Sequence, residues 1–110
     1  MVKVDISGGI CGFSTIVTAK KEQGYEASFQ LETECPNWQR VNAQLGGRPL
    51  DMMAELFKDR DTGEVHSQVI DTALRTIPHV SCPVMSGILK ALEVSVGLAL
   101  PQDAAIRFVA

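Results

Sequence analysis

The chain has 110 residues, 45% of them hydrophobic, with 10 basic and 13 acidic side chains and a net charge of −3. That length predicts one domain over residues 1–110 with a hydrophobic core of its own. The acidic balance and the lack of a basic run argue against a nucleic-acid grip built on phosphate neutralisation.

Val2, Val4 and Ile6 alternate with Lys3 and Asp5, the period-2 pattern of a strand with one buried face. Gly8 and Gly9 end it, and Cys11 follows in the turn-like Gly8-Gly9-Ile10-Cys11-Gly12. This glycine-rich stretch is no phosphate loop, because it lacks the Gly-Lys-Ser/Thr ending and leads into a strand rather than a helix. Ser14 to Lys20 contains Thr15, Ile16, Val17 and Thr18, whose β-branched side chains favour a second strand. After the turn at Lys21-Glu22-Gln23-Gly24, a third strand runs from Tyr25 to Thr33. Tyr25, Ala27, Phe29, Leu31 and Thr33 lie on one face, and Glu26, Ser28, Gln30, Glu32 and Glu34 on the other, wet one.

Cys35-Pro36 opens the helical half. Proline suits the first helical position, which makes Cys35 the N-cap, and Trp38, Val41 and Leu45 then mark the buried side of a first helix. Gly46-Gly47-Arg48-Pro49 stops it. Leu50, Met53, Ala54 and Phe57 repeat the helical spacing, and the charged stretch Lys58 to Glu64 reads as a mobile loop. Beyond His66, a surface residue at a helix start, Ser67 caps a third helix striped by Val69, Ile70, Ala73, Leu74 and Ile77. Pro78 ends that helix. Cys82-Pro83 repeats the cap grammar and opens an apolar run from Val84 to Leu100. The polar stripe of Ser86, Lys90 and Glu93 marks this run as a central core helix rather than a membrane span. Past Pro101, Ile106 and Phe108 alternate with Arg107, predicting a last strand over Ala105 to Val109. The order βββααααβ predicts an α+β two-layer sandwich: a three-strand meander plus the C-terminal strand, covered on one face by helices.

Three cysteines make an odd count for a disulfide framework. The N-terminus MVKVDIS carries no export signal, so the expected address is cytoplasmic, with reduced thiols. Metal binding, thiol redox or sulfur transfer, and inert packing then remain. All three cysteines stand at element ends beside Gly or Pro. In a meander, Cys11 and Cys35 share one end of the sheet. Cys82 joins them if the last strand runs parallel to the first, whereas up-and-down counting of the helices puts it at the other end.

Helix N-termini present free N–H groups that stabilise thiolates, and thiolates bind soft metals. Cys11, Cys35 and Cys82 would suit a [4Fe-4S] cluster with one iron left open to a substrate, a small thiol ligand or a partner protein. Zinc is the alternative, with His79, three residues before Cys82, completing a Cys3His set. Met52, Met53, Met85 and Trp38 read as core, and Glu26, Glu32 and Glu34 as a solvated sheet face. The runner-up from another class is a non-catalytic module that binds an unknown partner through the exposed strand face or the 58–64 loop, with buried inert thiols. A homo-oligomer is compatible with either reading.

The segments Gly9-Ile10-Cys11-Gly12-Phe13, Cys35-Pro36 and Cys82-Pro83-Val84, with Ser86 to Glu93, resemble a family of small uncharacterised three-cysteine proteins of anaerobic prokaryotes. The similarity spans nearly the whole chain. It implies an anaerobic cytoplasmic setting and supplies no mechanism. Members of that family often carry a second proline where this chain has Met85.

Overall fold

A computed structural model describes residues 1–110. Three antiparallel strands, β1 (Val2–Ser7), β2 (Ser14–Lys21) and β3 (Glu26–Thr33), form the expected meander. Val4 pairs with Val17 and Val17 with Leu31, while Ala19 pairs with Phe29, so the alternating apolar residues of all three strands share one face. Val17, Ala19, Ala27, Phe29 and Leu31 on that face are buried. Helix α1 (Pro36–Leu45) packs on β3 and buries Trp38, Val41 and Leu45, as their spacing requires. Helix α4 (Val84–Ser95) packs chiefly on β1 and β2 and buries Val84, Ile88, Ala91 and Leu92. No helix is long and apolar enough to cross a membrane.

The fourth strand is not the expected C-terminal one. It is β4 (Leu50–Asp51), which pairs antiparallel with β3 and gives a sheet ordered β1-β2-β3-β4. The Gly46-Gly47 turn doubles the chain back along β3, with the Gly47 N–H donating to the Phe29 carbonyl at 2.8 Å, which brings Leu50 opposite Ala27. Ala105 to Val109 form no strand, and β1 is left at a free edge. The elements therefore run βββαβααα rather than βββααααβ.

Leu50 belongs to β4 rather than to a helical stripe, and helix α2 (Met52–Leu56) is a single short turn that buries Met52 and Glu55. Met53 and Phe57, expected inside, are 42% and 54% exposed. Asp51 caps this turn by accepting from the Met53 N–H, which shifts the buried face by one residue. Helix α3 (Gln68–Thr76) begins at the expected cap, the Ser67 hydroxyl accepting from the Ile70 N–H at 3.1 Å. Leu74 of its expected stripe is exposed, and Thr72 is buried instead. Helix α4 stops well before Pro101, because Gly97 takes a left-handed φ of 81° and the N–H groups of Gly97 and Leu98 bond back to Val94 and Glu93.

Candidate functional site

At one end of the sheet Ser7 pairs with Ser14 and Thr15 with Thr33, so the β1–β2 turn and the exit from β3 lie side by side there. Cys11 sits in that turn. The turn is closed by the Gly8 N–H donating to the Phe13 carbonyl at 2.9 Å and the Gly12 N–H to the Gly9 carbonyl at 3.0 Å. Gly9 and Gly12 hold φ values of 84° and 77°, a region that glycine enters without steric cost. The Cys11 thiol folds over Gly8 so closely that a Cβ there would stand 2.6 Å from Sγ. Cys11 is exposed.

Cys35 caps α1 with Pro36 at the first helical position, as its sequence predicts. Its N–H donates to Thr33 Oγ1 at 3.1 Å, and its carbonyl accepts from the Gln39 N–H at 3.0 Å. Thr15 Oγ1 in turn bonds Thr33 Oγ1 at 2.9 Å, so the cap is tied to the sheet end that carries the Cys11 turn. The Cys35 side chain makes no capping bond, which leaves Sγ without that role.

Cys82 is displaced from its expected place. The N-cap of α4 is Pro83, whose carbonyl accepts from the Gly87 N–H at 3.0 Å, and Cys82 precedes it by one residue. Ser81 and Pro83, on either side of Cys82, line a cleft of about 470 Å³ together with Gly8, Gly9, Ile10 and Phe108. The start of α4 therefore stands at the same sheet end as the Cys11 turn. Cys35 and Cys82 are both half-buried and pack against the core.

The three cysteine-bearing segments thus share one end of the sheet, but the thiols do not form a preassembled metal centre. No three His, Cys, Asp or Glu side chains lie close enough to hold one ion. Cys35 follows the end of β3, and the residues on either side of Cys82 line the cleft beside the end of β1. His79 is exposed and makes no side-chain hydrogen bond.

The best-organised polar cluster has no local sequence signal. Glu55 is buried, and its carboxylate accepts from Ser67 Oγ at 2.9 Å and from the N–H groups of Gln68 and Val69 at 2.8 and 3.0 Å. It satisfies the free donors at the start of α3 and ties α2 to α3 across the intervening loop. Both carboxylate oxygens accept hydrogen bonds in this structural work, so it is a latch rather than a reactive group. Spacing alone could not reveal it, since the partners lie 12 to 14 residues away.

Compared with known proteins, residues 2–108 match the model of a family of unknown function (DUF6951). No curated protein and no solved structure matches.

Proposed function

We propose that this chain, which belongs to the DUF6951 family of unknown function, is a small metal-binding protein whose ligands are Cys11, Cys35 and Cys82. The observation that supports this reading is that three separate elements bring their cysteine-bearing ends to one end of the sheet. Two of those ends are helix starts, whose free N–H groups offset thiolate charge. The preferred occupant is a [4Fe-4S] cluster, because sulfurs on separate irons stand several ångströms apart and cysteines from three separate segments meet that spacing more easily than the close approach that one tetrahedral ion demands. Zinc held by the same cysteines with His79 is the alternative. When bound, the cluster would supply electron transfer or one open iron. The chain's own part is to shield it with the core-packed Cys35 and Cys82 and to close the Cys11 turn upon it. The cytoplasmic address and the covering of the sheet on one face by helices belong to the same proposal.

The test is the visible absorption spectrum after anaerobic reconstitution with iron and sulfide. Wild type should develop broad charge-transfer absorption, and Cys11→Ser, Cys35→Ser and Cys82→Ser should each weaken it. A colourless protein after iron–sulfide loading that also retains no zinc, by metal analysis after zinc loading and desalting, would overturn the metal reading.

A second reading rests on a specific observation. Ile10 and Phe108, which line the cleft at the cysteine end, are 108% and 102% exposed, an apolar rim of the kind that partner surfaces use. A partner module of this kind predicts that the three Cys→Ser variants keep their partner.

A further inference from the structure

The free edge of β1 and the C-terminal tail form an unfinished pair. A groove of about 780 Å³ is lined on one side by Val2 to Ser7, on another by Pro101 to Arg107, and along its wall by Pro83, Gly87, Lys90 and Val94 of the α4 region. Those wall residues recur at helical spacing and make one stripe facing the groove. The tail already travels in the direction of β1. Its distal residues Ile106 and Phe108 line the cleft beside Ser7 to Ile10 at the far end of β1, and the preceding α4 runs back from that end. Yet Ile106 is 84% exposed and Phe108 fully so, while the inward-facing Val2 and Val4 of the edge strand are only half-buried. Two apolar rows thus stand open to water on either side of one groove, and a free strand edge lies between them.

The charges select a direction. Along β1 the outer face presents Lys3 and then Asp5, and along the tail the residues of matching parity present Asp103 and then Arg107. Parallel alignment with Lys3 beside Asp103 places Asp5 opposite Ala105 and Arg107 opposite Ser7, so no like charges face each other, whereas antiparallel alignment opposes Lys3 to Arg107. The same parity turns Ala104, Ile106 and Phe108 toward the α4 stripe. From these observations we propose that residues 103–109 are a strap that closes on β1 as a parallel fifth strand and draws Phe108 across the cleft beside Cys82. The closed strap limits reagent access to the cysteine end. The inference concerns the metal-free chain and stands whether or not a metal binds there.

Hydrogen exchange on the reduced, metal-free full chain tests it, read on peptides spanning 1–8 and 103–110. Tail amides should exchange at least about tenfold more slowly than unstructured peptide. Ile106→Ser with Phe108→Ser should abolish that protection, leave the far-ultraviolet circular dichroism unchanged and speed alkylation of Cys82 severalfold. Lys3→Glu should weaken the protection, and Lys3→Glu with Asp103→Lys should restore it. Tail amides exchanging at unstructured rates in wild type would overturn the proposal, as would failure of the charge swap to restore protection. Protection that rises with protein concentration would also overturn it, by assigning the edge to a second copy.

Discussion

Replacing Glu55 with alanine removes an acceptor for three donors at once: the Ser67 hydroxyl and the N–H groups of Gln68 and Val69, all within 3.0 Å. A hydrogen bond to a charged group contributes about 1.5–3 kcal/mol, and a buried donor left unpaired costs about 1–3 kcal/mol. The three do not add in full, because the Ser67 hydroxyl can turn and water can enter the space vacated by the side chain. A loss of about 3–5 kcal/mol follows, in line with breaking a buried charged contact. For a domain of this length, whose total stability is about 5–15 kcal/mol, that is a large share. Glu55→Gln keeps one acceptor oxygen but turns an amide donor toward an N–H, and should cost about 1.5–3 kcal/mol. Urea unfolding of the reduced chain measures both, with the slope checked for constancy so that a shift in midpoint reports stability. A loss under about 1 kcal/mol for Glu55→Ala would refute the latch.

Ser67→Ala should cost about 1–2 kcal/mol in the same assay, since it removes both the cap to the Ile70 N–H and one donor to Glu55; no change would mean that the cap is dispensable. Gly87→Ala should destabilise by about 1–3 kcal/mol in thermal unfolding despite alanine's better helix propensity, because its Cβ would collide with the Ile6 side chain. Stabilisation by this substitution would show that α4 and β1 are not in close contact. Asp59 should titrate below its ordinary value of 3.8, held down first by the Thr62 N–H and then by that of Asp61. The interaction is therefore present above the ordinary value and lost as the pH falls through the lower, folded one. Carboxyl chemical shifts give the midpoint, and a midpoint at or above 3.8 would contradict the loop geometry. In the metal-free chain, exposed Cys11 should alkylate before the half-buried Cys35 and Cys82, and the reverse order by mass spectrometry would show that exposure does not govern access.

The strands β1 to β3 and the helices α1, α3 and α4 were legible because each carries its periodicity within a few residues, as in Trp38, Val41 and Leu45. What escaped was set by distant partners. Leu50 fits a helical stripe with Met53, Ala54 and Phe57, but a two-residue pairing with β3 outweighed it once the Gly46-Gly47 turn had folded back. Ile106 and Phe108 have the alternation of a strand, and alternation cannot say whether an edge receives them. At the candidate site, the common end of Cys11 and Cys35 followed from hairpin geometry alone. The place of Cys82 depended on how α4 crosses the sheet, which no local pattern encodes. Glu55 looked like any other helical glutamate because its ligands lie beyond the next loop.

The central claim is that Cys11, Cys35 and Cys82 bind one metal centre together, and native mass spectrometry of the anaerobically reconstituted chain tests it most directly. The account predicts a mass increment of one cluster, about four irons and four sulfides per chain, lost or reduced in each of the three Cys→Ser variants. A chain that retains its bare mass after loading with iron and sulfide and, separately, with zinc would contradict it.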